Sequence, residues 1–236
     1  MRKTLLLLAL ISFRSYVHAN LITNGDFEAG LSGWTVTNET GSSPGSNWFA
    51  QTGTLSPFSG FAVPAPPQGL SAAMADQGGP GSHVLMQSFV VPSGFTSVQV
   101  SFLLFIGNRA SGFFTPNSLD FNVFPNQQAR VDLLTASGTA FDLNPADIVA
   151  NLYQTHVGDP LLSGYSLRSS IVSGLTPGAY QLRFAEVDNQ LWFQMGVDSV
   201  AVDAVVSEPA TFGWMGFTSI VLVVSSRRAQ AGRRGA

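Results

Sequence analysis

Residues 84–91 read VLMQSFVV, and after the turn residues Pro92, Ser93 and Gly94 the chain continues over 98–106 as VQVSFLLFI. Both runs are rich in Val, Phe and Leu and are bounded by Gly, Pro, Ser and Asn, the pattern of strands separated by turns. Working outward, 129–135 (ARVDLLT), 180–187 (YQLRFAEV) and 197–206 (VDSVAVDAVV) repeat it. One stretch, 144–153, reads as helical: Asn144 is a cap, Pro145 falls in the first turn, and Ile148, Val149 and Leu152 have helical spacing. The expectation is an all-β sandwich with one short helix and no internal repeat. The least regular stretches are the proline-rich 41–69 and 107–128. Loops of that length are either functional or poorly ordered, and Phe113, Phe114, Phe121 and Phe124 predict an ordered one at 107–128.

The two ends differ from this middle. Arg2 and Lys3 precede the apolar run 4–13, and Val17-His18-Ala19 offers the small residues that suit signal peptidase, so 1–19 reads as a signal peptide cleaved after Ala19. Its apolar core of about ten residues is far short of the roughly 20 that a bilayer-spanning helix needs. At the other end, 207–211 is Ser207-Glu208-Pro209-Ala210-Thr211. An apolar stretch over 210–226 follows, then Arg227, Arg228, Arg233 and Arg234. The stretch would be about 25 Å long as a helix, a marginal span of a bilayer core of about 30 Å. The terminal arginines belong on the cytoplasmic side, leaving the main domain outside.

Composition narrows the function classes. Between 20 and 206 there are thirteen acidic residues against four arginines and no lysine, a net charge of −9, although the whole chain carries only −3. A phosphate-binding surface needs clustered Lys and Arg, so nucleic acid and anionic lipid are poor partners, and divalent cations are better ones. The absence of cysteine removes disulfides, thiol nucleophiles and zinc–thiolate sites. The 187 residues of 20–206 suffice for one sizeable core, so three segments are expected: 1–19, a β-sandwich domain over 20–206, and a 207–236 tail.

Two resemblances sharpen this. The tail (motif 207–211, apolar helix 210–226, arginines 227–234) resembles the PEP-CTERM sorting signal of Gram-negative bacteria, which an exosortase recognises; here Ser207 replaces the first proline of the motif. A simple C-terminal membrane anchor is the alternative. Residues 20–28 (NLITNGDFE), followed by Gly33-Trp34, look like the opening of galactose-binding-like jelly-roll modules, and 196–200 (GVDSV), preceded by 182–186 (LRFAE), like the end of such a domain. These carbohydrate-binding-module-like sandwiches often carry a structural calcium between first and last strands. The resemblance therefore implies Ca2+ held by the side chains of Glu28 and Asp198 with carbonyls near Asn24 and Asp26. The residues offer their own route to the same idea. Asp198 shares an alternation phase with Val200, Val202 and Ala204, which places its carboxylate toward the core, where it needs a partner. That partner is either a hard cation or Arg183; otherwise Asp198 is an exposed strand entrance.

Other candidates divide similarly. Glu186 and Asp188 are either a second acidic cluster or a polar strand end. Arg130 and Asp132 read as a salt bridge. Trp48, Phe113, Phe114 and Trp192 offer faces that could stack on sugar, or else belong with Trp34 to the core. A serine triad would have only His83 and His156 to draw on within 20–206, and no Gly-x-Ser-x-Gly elbow occurs. The expected function is an exported surface or matrix protein, non-catalytic and lectin-like, binding calcium and extracellular polysaccharide. Its processing partners are signal peptidase and an exosortase, and the membrane holds it transiently. The alternatives are a secreted polysaccharide hydrolase, with Glu186 the carboxylate to substitute, and a purely structural surface protein.

Overall fold

The computed structural model describes residues 20–205; the expected signal peptide with its Ala19 boundary and the tail from Ser207, Glu208 and Pro209 onward lie outside the described residues. Among the described residues ten strands form two antiparallel five-stranded sheets. The first contains, in spatial order, β1 (Thr35–Asn38), β4 (Gly81–Val91), β9 (Gly178–Asp188), β6 (Gln127–Thr135) and β7 (Ile148–Gln154). The second contains β2 (Asn47–Gln51), β3 (Ala72–Gln77), β10 (Phe193–Val205), β5 (Ser97–Asn108) and β8 (Ser166–Ser173). The chain is thus a two-sheet β-sandwich.

The core lies between the sheets. Leu85 and Phe89 on β4, Leu182 and Phe184 on β9, and Val131 and Leu133 on β6 meet Val100, Phe102 and Leu104 on β5 and Met195 and Val197 on β10. Burying one such side chain is worth about 1.5–3 kcal/mol. The outer faces are partly covered as well. Loops spanning 115–126 and 136–147 bring Leu119, Phe121, Ala140 and Phe141 over Val84, Met86, Ala185 and Val187, and Val63 and Tyr165 cover Met74 and Phe105 on the second sheet. Strands buried on both faces read as continuous apolar runs rather than alternating ones, which is why 84–91 announces itself so clearly.

The helix expected at 144–153 is instead a turn and a strand. Asn144 does accept backbone hydrogen bonds from Asp147 (2.9 Å) and Ile148 (3.3 Å), a single turn that ends there. The β-branched Ile148 and Val149 then enter β7, which pairs with β6. That pairing has irregularities at Val131/Asp132 and Leu133/Leu134. An extra residue breaks strict alternation, so the apolar residues fall at spacings that mimic a helix. Among the described residues no helix is long and apolar enough to cross a membrane.

Arg130 and Asp132 do pair, Nε to Oδ2 at 2.7 Å, and Arg183 joins the same oxygen at 2.6 Å with both side chains fully buried. Arg183 therefore belongs to Asp132, not to Asp198. Its other amino group donates to the carbonyls of Thr139, Ala140 and Asp142, fastening the 136–147 loop to the sheet.

Candidate functional site

The expected calcium residues converge, by a route the sequence concealed. In the β10–β5 pairing Asp198 faces Leu103 while Ala201 faces Ser101, so β10 carries one extra residue there. Ser199 takes up the bulge with φ of 53°. Val197 and Val200 both reach the core, and Asp198 is turned onto the outer face of the second sheet. The alternation argument that placed Asp198 toward the core is therefore corrected. It is fully buried all the same, beneath the 64–71 loop. The N–H of Gln68 donates to Oδ2 (3.2 Å), that of Ser199 to Oδ1 (2.5 Å), and Ser199 Oγ bonds Gln68 Oε1 (2.7 Å).

The same loop grips Glu28. Leu70 and Ser71 donate their N–H groups to Oε1 at 2.8 and 2.9 Å, which leaves Oε2 for a further partner. A side chain at Gly69 would collide with this carboxylate. The turn carrying Glu28 is locked by Asn24, whose side chain binds the carbonyls of Gly30 and Ser32 and the N–H of Ala29, while its own carbonyl accepts from Trp34 Nε1 (3.1 Å). The turn docks on the bulge through Val200 N–H to Gly25 O (2.8 Å). A Cβ on Gly25 would collide with the Val200 carbonyl oxygen, so glycine is required. Burial, chiefly, raises the Asp198 carboxyl to about 6, the two N–H groups oppose this, and Glu28 and Asp26 raise it further. Asp198 thus feels the charges of Glu28 and Asp26 beside an open hollow of about 330 Å³ lined by Asn24, Gly25, Asp26 and Gln68.

Glu186 and Asp188 are not a polar strand end. Along β9 they follow the inward phase of Leu182 and Phe184, and both are buried inside the sandwich with Gln77 and His83. His83 Nδ1 meets Asn38 Oδ1 at 2.7 Å, and burial lowers its imidazole to about 4. Glu186, the acid on which a hydrolase would depend, is 0 % exposed and out of reach of a polymer. Among the described residues no group of three or more His, Cys, Asp and Glu side chains stands at metal-holding spacing. An ion at either acidic place would complete its shell with carbonyls, amides and water.

A further hollow lies at neither place. It is a lateral cleft of about 460 Å³ between the edge strands β7 and β8, where the two sheets part. Leu104 and Ile106 form its floor; Asn151, Tyr153 and Gln154 stand on one side, Arg168 on the other, and His156 and Asp159 at its end. The Arg168 guanidinium lies 4.9 Å from the Tyr153 ring centre. Burial, chiefly, raises the Tyr153 hydroxyl above its ordinary range, so it stays a hydrogen-bond donor. Nothing in the sequence marked these residues, because they meet only when the edges of two sheets are brought side by side.

The aromatic candidates separate. Trp48 and Phe113 are 2 % and 1 % exposed and belong to the core, so neither can stack on a sugar. Phe114 is half-buried and bridged to Gln127. Trp192 is half-buried at the surface, packed against Phe58 and Phe61 at 6.2 and 5.5 Å; it alone of the four stands in an accessible aromatic group.

No protein-family model matches this chain, and no curated protein matches it. Among solved structures, it is similar to the K3 cleaved adhesin domain of Lys-gingipain from Porphyromonas gingivalis (TM-score 0.48, 13 % identity, 80 % of this chain and 99 % of that one). A family 61 carbohydrate-binding module solved with β-1,4-galactotriose follows (0.45, 12 %, 78 % and 98 %). So does a family 11 carbohydrate-binding module from Clostridium thermocellum with a β-1,3-1,4-mixed-linked tetrasaccharide (0.37, 11 %, 78 % and 95 %). These likenesses are to β-sandwich domains; at such identities and scores they say nothing of what this chain binds.

Proposed function

We propose that the chain is an exported, non-catalytic binding protein of the galactose-binding-like jelly-roll kind, and that its lateral cleft takes extracellular polysaccharide. The domain over 20–206 would be delivered to the cell envelope or beyond it by the 1–19 signal peptide and the 207–236 PEP-CTERM-like tail. The observation that supports the reading is the cleft itself. A protonated Tyr153 and the Arg168 fork stand over an apolar floor, while the amides of Asn151 and Gln154 are taken up by Asp132 and Gln128. A few convergent polar groups over apolar surface are what a ligand site requires, and a phenol beside a planar guanidinium suits the vicinal hydroxyls of a sugar. Calcium held by Glu28 Oε2, Asp198 and nearby carbonyls would fix the turn carrying Glu28 to the bulge, a structural role at a distance from the cleft residues.

A pull-down against a polysaccharide panel, followed by titration of whichever polymer is retained, tests the reading. Tyr153→Ala and Arg168→Ala should each weaken binding roughly tenfold or more, about 1.4 kcal/mol, while Trp192→Ala leaves it unchanged. Loss with Trp192→Ala alone would move the site to the Phe58–Phe61–Trp192 group. Retention of no polymer would leave a structural surface protein.

A further inference from the structure

Twelve buried side-chain polar atoms lack a hydrogen-bond partner among the described residues, and seven of them belong to four neighbouring residues: both oxygens of Glu186, both of Asp188, both amide atoms of Gln77, and His83 Nε2. Their placement is not scattered. In the β4–β9 pairing Glu186 lies opposite His83, and Asp188 opposite Gly81. The point where a Cβ of Gly81 would stand is 2.7 Å from His83 Nε2 and 3.2 Å from Gln77 Oε1. The imidazole nitrogen and the amide oxygen therefore turn toward the space above Gly81 that Asp188 borders. Gln77 also lies near enough to Glu186 to favour its ionised form, against the larger effect of burial.

Leaving a buried donor or acceptor unpaired costs about 1–3 kcal/mol, and more for a charge, so this concentration calls for an occupant. Among the described residues no cationic side chain is left to offer. Residues 20–205 contain no lysine and four arginines. Arg130 and Arg183 are committed to Asp132, Arg168 to Tyr153 and Arg109 to Phe61. Among the described residues nothing compensates these groups, which leaves a proton or a bound ion to do so. Two carboxylates and an amide oxygen are hard donors, suited to a cation that completes its shell with water. A cleft of about 160 Å³ lined by Gly78, Gly79, Pro80 and Asp188 supplies an entry and room for that water. Burial holds Asp188 at about 8 and Glu186 well above the carboxylate range, so the competing occupant is the proton.

We infer that Glu186, Asp188 and the amide oxygen of Gln77 form a divalent-cation site inside the sandwich, for an ion of the Ca2+ or Mg2+ class, with His83 Nε2 oriented by a water of the ion. The inference does not rest on calcium at Glu28 and Asp198, and the test keeps the two apart. Ca2+, and in a second arm Mg2+, is titrated calorimetrically into the chelator-stripped full chain at pH 8, in the wild type and in Glu186→Gln, Asp188→Asn and Asp198→Asn. The expected result is a binding event that Asp198→Asn retains and that Asp188→Asn and Glu186→Gln lose. At a hundredfold excess over Kd this event should raise Tm by roughly 5–11 °C, and Glu186→Gln should abolish that shift while melting in chelator no lower than the wild type, which separates loss of a ligand from loss of the fold. If Asp188→Asn and Glu186→Gln bind as many ions as the wild type, the inference is overturned. If Asp198→Asn removes no event, the calcium reading at the bulge fails and this one stands.

Discussion

Two groups of acids in one sandwich are handled in opposite ways. Asp198, with Glu28, sits on the outer face of the second sheet, and four backbone N–H groups from 68–71 and Ser199 point at the two carboxylates. Glu186 and Asp188 lie between the sheets with no backbone N–H and no arginine on their oxygens among the described residues, and only the Gln77 amide beside Glu186. The first group keeps its backbone donors with or without a metal; the second gains a comparable partner only with one. A third acid, Asp132, marks the compensated extreme, held by two guanidinium groups. How far a buried charge depends on an ion is set by what the backbone and the arginines already supply.

The comparison can be broken at several strengths. Asp132→Ala leaves Arg183 buried and unpaired and should cost about 3–5 kcal/mol in denaturant unfolding; a loss under 1 kcal/mol would show that buried charges here are cheap and remove the reason for any cation. Gly25→Ala forces a Cβ into the Val200 carbonyl. It should cost about 1–3 kcal/mol through backbone displacement and abolish any calcium response that depends on Asp198, while the response that depends on Asp188 persists.

In chelator at pH 8 the two groups should answer substitution differently. Glu186→Gln removes the cost of keeping a buried carboxyl protonated and without hydrogen-bond partners and should stabilise by about 1–3 kcal/mol. Asp198→Asn should stay within about 1 kcal/mol of the wild type, because relief from burial is offset by loss of two charge-assisted hydrogen bonds. Equal effects would erase the distinction. The smallest effect belongs to Asp147, whose carboxylate accepts from Ser137 Oγ (2.6 Å) and Thr135 Oγ1 (2.9 Å). Those bonds hold it below its ordinary 3.8. A lowered carboxyl contributes stability above the unfolded value that is lost as pH falls through the folded one. Asp147→Asn should therefore melt slightly below the wild type at pH 6 and no differently once the pH is well under 3.8.

The two-sheet architecture was readable because β4, β5, β6, β9 and β10 are buried on both faces and appear as long apolar runs. β3 and β8 were not: AAMADQ and SLRSSIVS owe their places to neighbours rather than to their own hydrophobicity. Bulges account for the two clearest misreadings. They gave β7 the spacing of a helix, and they hid from the alternation of β10 the turn-over at Ser199 that puts Asp198 outside while Val197 and Val200 stay in. Alternation counts residues and cannot register one that takes no part in the ladder. That Glu28 and Asp198 would lie near each other was read from the motifs that carry them. The unpartnered state of Glu186 and Asp188 was not, since it depends on where all four arginines go.

The most direct test is a crystal structure of the protein grown with calcium and examined by anomalous scattering. The account predicts one ion between Glu28 and Asp198 and a second bound to Glu186, Asp188 and the Gln77 amide oxygen. Carboxyl groups of Glu186 and Asp188 hydrogen-bonded to each other or to water, with no anomalous peak between them, would contradict it.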